Sequence, residues 1–119
     1  MSKYLYQVNY TLEGVKGLLA KGGFGNVMGH LAKGGSPRRA AAQYAAKSLG
    51  GELEFLYFAF GMTDAYAVFD LPEHDAAAAL AMTMIAGGGV TVNTTVLLTP
   101  EQIDIASDTA VEYRPPGFS

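Results

Sequence analysis

The sequence predicts a ferredoxin-like α+β domain of the β-α-β-β-α-β type: a four-stranded antiparallel sheet with its helices on one face. Three observations predict it. Strand-like and helix-like stretches follow one another in that order. Each main helix-like stretch is bracketed by its own start and stop residues. A chain of 119 residues, half of them apolar and 16% charged, has core enough for one domain and would starve two. The expected domain therefore covers residues 1–119.

In residues 3–10, KYLYQVNY, the tyrosines and Val8 alternate with Leu5, Gln7 and Asn9, which is the period of a strand. Thr11 offers an N-cap for a short helix, with Glu13 and Val15 behind it, running into GLLAKGG. A longer helix is expected over about 37–49, with Ser36 as N-cap and Pro37 as its first residue. Its apolar stripe reads Ala41, Tyr44, Ala45 and Ser48 or Leu49, and Gly50-Gly51 stops it. ELEFLYFAF and DAYAVFDL are strands joined by the short turn Gly61–Asp64, a hairpin. Pro72 and Glu73 open another helix, apolar at Ala77, Leu80, Ala81, Met84 and Ile85 and ended by Gly87-Gly88-Gly89. VTVNTTVLLT is β-branched enough for the last strand, and Pro100 starts a short terminal helix in PEQIDIAS. The tail over 107–119, with Pro115 and Pro116, is expected to be irregular.

Such a sheet has one bare face. Depending on register, it carries Leu5, Gln7, Asn9 and their neighbours, or the tyrosines. Beside strands as aromatic as ELEFLYFAF, neither set is polar enough to leave in water. The expected partner is therefore the chain itself, in a homo-oligomer of the α+β-barrel type with sheets packed face to face.

Several classes fall away on composition. With no cysteine there is no disulfide, thiolate metal site or cysteine nucleophile. A net charge of −3, and acids in the strand DAYAVFD where an RNA-binding sheet carries bases and stacking aromatics, argue against nucleic acid. No apolar stretch nears the roughly 20 residues of a membrane span, and the N-terminus lacks a secretion signal's apolar block. The expectation is no membrane partner and a cytoplasmic location. A GxGxxG pattern from Gly23 fails at Met28, and Gly35 stands where a Walker lysine belongs. The two histidines show no metal-ligand spacing, serine–histidine–aspartate catalysis has no signature, and no cofactor can be named.

Charge is distributed lopsidedly. Six bases and no acid lie between Gly14 and Gly50, whereas ten acids and neither lysine nor arginine lie between Gly51 and Tyr113. Arg38 and Arg39 fall in a first helical turn, where the macrodipole disfavours cations. They read as binders of a carboxylate or phosphate, or else as partners for acids of the second half within or between subunits. Gln7 and Asn9 share one strand face, and Thr91, Asn93 and Thr95 share another. Together they read as a lining of neutral hydrogen-bonding groups with Tyr57 or Tyr66 as donor, or as a polar strip within an interface. His30 is a candidate general base or axial ligand to iron, whereas His74, at a helix start, reads as solvated. The candidate set is thus His30 and Tyr66 for catalysis, and Gln7, Asn9, Arg38, Arg39 and Asn93 for ligand binding, with no metal ligands.

A further set of short motifs runs along most of the chain: Tyr10-Thr11, Glu13-Gly14, the Gly34-Gly35-Ser36-Pro37-Arg38-Arg39 helix start, Leu49-Gly50-Gly51, Phe60-Gly61, Asp64, Asp70-Leu71-Pro72 and Tyr113-Arg114-Pro115-Pro116-Gly117. In these the chain resembles the GYD domain family. The namesake glycine-x-tyrosine-aspartate reads Gly61-Met62-Thr63-Asp64 here, with Thr63 in the tyrosine's place. The resemblance implies a dimeric α+β-barrel fold and assigns no catalytic residue, because the family's general biochemical role is not established.

One feature sets this chain apart. Gly17–Gly23 and Gly29–Gly35 are identical at six of seven positions, so residues 24–35 read as a tandem duplication in the first β–α connection. It is either a tolerated insertion or a short helical lid that docks Val27, Met28 and Leu31, with His30 on its flank. The functional expectation is an oligomeric domain binding a small apolar or anionic ligand. Were it an enzyme, fold analogy favours cofactor-independent proton transfer or oxygen chemistry. The alternative is a non-catalytic self-assembly module.

Overall fold

The computed structural model describes residues 1–19 and 34–117. The elements are β1 (Ser2–Tyr10), α1 (Leu12–Leu19), α2 (Gly35–Ser48), β2 (Glu52–Phe58), β3 (Ala65–Leu71), α3 (His74–Ala86), β4 (Val90–Leu97) and α4 (Pro100–Asp108). The strands form one sheet in the order β2-β3-β1-β4, with every neighbouring pair antiparallel. This mixed architecture is compatible with a ferredoxin-like unit. The duplicated segment's Phe24, Val27, Met28, His30 and Leu31 lie outside the described residues.

The register decides between the two faces that the alternation of β1 leaves open. Tyr4 stands opposite Phe69 and Val96, Tyr6 opposite Ala67 and Thr94, and Val8 opposite Ala65 and Val92. These tyrosines turn toward the helices, and Tyr4, Tyr6, Phe69 and Leu71 are the largest fully buried side chains. A buried phenol needs a partner for its hydroxyl. Tyr6 donates to the Ala77 carbonyl of α3, and the Tyr4 oxygen lies 2.6 Å from His74 Nδ1. His74 is thus tied to the core by one ring nitrogen rather than simply solvated.

Local chemistry explains the element ends. Thr11 caps α1, its Oγ1 accepting from Gly14 N–H at 3.1 Å while its own N–H donates to Gly89 O at 3.0 Å. Helix α2 starts at Gly35, ahead of the expected position, and Ser36 makes no capping bond. Gly34 takes the cap position with φ 83°, and its N–H donates to Leu18 O at 2.9 Å. A left-handed residue tied to α1 sets that entry, and glycine adopts it without strain. The inward stripe of α2 is Ala42, Ala45, Ala46 and Leu49, leaving Tyr44 in solvent, so the expected stripe is rotated. A helix so rich in alanine can turn several faces inward, and the tyrosine does not fit the narrow one. At the other end Gly50, with φ 77°, donates to Lys47 O, and Gly51 donates to Ala46 O, a closed C-terminal turn.

Strand β2 ends at Phe58 rather than Phe60, because Ala59 N–H already closes the turn onto Asp64 O at 2.8 Å. In β2 a bulge sets Glu54 and Phe55 against Val68. Helix α3 begins at His74, after Pro72-Glu73, and buries Ala77 and Leu80. Helix α4 carries a reciprocal cap between Thr99 and Gln102 and runs to Asp108, so irregular chain begins only at Thr109. Every described residue from Pro100 onward is exposed.

Candidate functional site

Small residues face one another across the helix–sheet layer. Helix α2 presents Ala41, Ala42 and Ala45, while β3 presents Ala65 and Ala67. Methyl groups on both sides underfill a layer whose spacing is set elsewhere by Tyr6, Phe69 and Leu80, and volume is left between them. The result is a cavity of about 350 Å³, within the size range of small-molecule pockets. Tyr6, Val8, Tyr10, Leu56 and Phe69 also line it from the sheet, and Leu80 and Met84 from α3. Gly14, Gly17, Gly87 and Gly89 bring bare backbone to its rim.

Among these lining residues Arg38 alone carries a charge. It sits beside Tyr10. Tyr10 stacks on Phe58, with centroids 6.3 Å apart and planes 18° from parallel, and its N–H donates to Asp64 Oδ2 at 2.8 Å. Asp64 N–H in turn donates to Asn9 Oδ1 and to Val8 O, both at 3.0 Å. Burial pushes the Tyr10 hydroxyl's pKa up, and the Arg38 guanidinium nearby draws it partly back. Tyr10 therefore stays a neutral phenol near neutral pH. The chamber combines apolar walls, one cation and the phenols of Tyr6 and Tyr10, the first already committed to Ala77 O, a set that can solvate an apolar molecule and pair with its anionic group.

The opposite face of the sheet holds a second cluster. Tyr57, Tyr66, Gln7 and Asn93 form one row across β2, β3, β1 and β4, and Val68, Leu5 and Thr95 lie in the next. At one end Lys3 Nζ bridges Glu54 Oε2 at 2.8 Å and Asp70 Oδ1 at 3.0 Å, hydrogen bonds that raise its pKa. Phe55, Tyr57 and Tyr66 stay substantially exposed on this face.

The predicted site residues thus fall in two places. Gln7, Asn93 and Tyr66 stand together on the open face, and Arg38 lines the cavity on the helix side. Asn9 shares the open face, but its side chain already serves Asp64. Arg38 and Arg39 are both exposed on α2 and only Arg38 lines the cavity, and His30 lies outside the described residues. Sequence reasoning missed Tyr10 and the alanines as cavity residues. Its usable signal was the run AAAQYAA on a helix facing Ala-Tyr-Ala.

The GYD domain family model matches residues 4–106, most of this architecture. The chain belongs to the GYD domain family. Comparisons with curated proteins and with solved structures gave no match. In this GYD domain the namesake turn has a structural role: Asp64 holds the β1 backbone beneath Tyr10, and Thr63, in the tyrosine's place, is buried. Among the described residues no three histidine, aspartate or glutamate side chains cluster to hold a metal ion. No described helix is long and apolar enough to cross a membrane.

Proposed function

We propose that this GYD domain binds a small apolar molecule bearing a carboxylate or phosphate in the cavity under α2, and that it does so as a homo-oligomer paired through the open sheet face. The observation that carries the binding reading is the apolar chamber with Arg38 as its charged lining residue. A ring-sized group burying about 150 Å² of apolar surface contributes roughly 4 kcal/mol. A charge-assisted hydrogen bond adds about 1.5–3 kcal/mol. Their sum, about 5.5–7 kcal/mol, sets a ceiling of about 10–100 µM, and the cost of association weakens the affinity from there to the millimolar range or beyond. The described lining offers two phenols, Tyr6 and Tyr10, and the Arg38 guanidinium, groups that bind and orient a ligand.

Thermal shift against 2-naphthoate, phenylacetate, phenyl phosphate and their uncharged amide or alcohol analogues tests the ligand class. Saturable stabilisation by the anions alone is expected, and stabilisation by none rejects it. A second reading, the non-catalytic assembly module, draws on the exposed aromatics of the open face. Tyr57→Glu places a charge there, and sedimentation is expected to show a shift toward the 12.5 kDa monomer. An unchanged mass would reject that face as the interface.

A further inference from the structure

We infer that the C-terminal arm is an intermolecular clasp: α4 of one chain docks on the outer face of α2 of a second copy. This extends the self-association proposed above and uses a different surface. Both helices carry an exposed apolar side chain set between charges of opposite sign. On α4, Glu101, Asp104, Ile105 and Asp108 fall at i, i+3, i+4 and i+7 and share one face, with Ile105 70% exposed. On α2, Arg39, Ala40, Gln43, Tyr44 and Lys47 share the face turned from the sheet, with Tyr44 79% exposed. The two acidic ends are about 10.5 Å apart along their helix and the two basic ends about 12 Å, so the charges can meet while Ile105 and Tyr44 touch. Among the described residues none of these five charged groups takes part in an ion pair within the chain.

The topology argues that the acceptor is a second copy. Helix α4 follows β4 after only Leu98 and Thr99, and β4 is one edge of the sheet. Helix α2 packs over β2, the other edge, while α3 packs over β4 between them. Three strand spacings, about 14 Å, separate the edges. A two-residue connection does not carry α4 around α3 to its own α2. Exposed ion pairs are weak and screened by salt, so the Ile105–Tyr44 contact supplies the attraction and the charges set the register.

Because the chain has no cysteine, single-cysteine variants read the contact directly. Tyr44→Cys and Ile105→Cys proteins, one tagged to resolve the heterodimer, are mixed, oxidised and run on a non-reducing gel. The control pairs Tyr44→Cys with Met62→Cys, another exposed side chain, on the β2–β3 turn. The expected result is several-fold more heterodimer from Y44C with I105C than from the control, falling in high salt. Equal yields overturn the clasp. Sedimentation of the unmodified protein separates the two ideas. An oligomer with equal yields refutes the clasp and leaves sheet pairing standing, an oligomer that Tyr57→Glu leaves intact while cross-linking stays selective refutes sheet pairing and supports the clasp, and a monomer refutes both.

Discussion

Gly14→Ala tests the packing that holds the cavity rim. A Cβ at Gly14 would run into Gly89 O, lie 2.9 Å from Gly89 C and touch Tyr10 Cδ1 at 3.0 Å. Two of those three atoms are backbone, fixed by the Thr11–Gly89 hydrogen bond, so α1 must move away from the start of β4. Overpacking of this kind costs about 1–3 kcal/mol. Replacing a helical glycine by alanine returns about 1 kcal/mol of helix propensity. The expected net loss is up to about 2 kcal/mol, centred on about 1 kcal/mol. Gly17, one turn later in the same helix, has no atom of the described residues within 4 Å of its would-be Cβ. Gly17→Ala should therefore stabilise, by about 0.4–1 kcal/mol. At roughly 3–6 °C per kcal/mol for a chain of this size, the two variants should differ in Tm by about 5–10 °C at the middle of these ranges. Thermal melts at matched protein concentration read the difference, since self-association shifts Tm by mass action. If G14A melts with or above G17A, α1 does not seat on Gly89 and the cavity rim is wrong.

Tyr6→Phe removes the hydroxyl that bonds Ala77 O and should cost about 0.5–1.5 kcal/mol in urea denaturation at neutral pH. Burial raises the Tyr6 pKa to about 12, whereas an unfolded tyrosine titrates near 10. The unfolded chain thus loses its proton first, so this contribution is intact below about pH 10 and declines from there toward pH 12. Urea midpoints at about pH 9 and about pH 11 should show a smaller alkaline loss in Y6F; an identical loss would mean that Tyr6 is not buried as described. Ala42→Leu puts a larger side chain toward the cavity, and it should stabilise the ligand-free protein by about 0.5–2 kcal/mol while abolishing 2-naphthoate binding. Retained binding in calorimetry would place the ligand elsewhere.

What the sequence disclosed follows from how local each signal is. The alternation in β1 identified both of its faces, because period two is a property of nine consecutive residues. Which face meets the helices depends on pairing with β3 and β4, and only the structure shows Tyr4 beside Phe69. The Gly50-Gly51 stop and the Thr11 cap were legible because caps are satisfied within a few residues. The stripe of α2 was not, since alanine at 41, 42, 45 and 46 fits several rotations and Tyr44 pulled the reading toward solvent. Arg38 stood out by breaking a local charge rule. Its neighbour Tyr10 is 28 residues away and came to it only through the Asp64 anchor and the Phe58 stack. The same lack of long-range information left the Arg38 spot and the strip of Gln7 and Asn93 unplaced relative to each other, and the sheet separates them.

The most direct test is a calorimetric cycle pairing wild type and Arg38→Gln with 2-naphthoate and 2-naphthamide. The account predicts that wild type binds the acid about 10- to 150-fold more tightly than R38Q does, the equivalent of one charge-assisted hydrogen bond. The amide should bind both proteins weakly and alike. Equal affinity of wild type and R38Q for the acid, or no binding of the acid by wild type at all, would contradict the claim that the cavity recognises an apolar anion through Arg38.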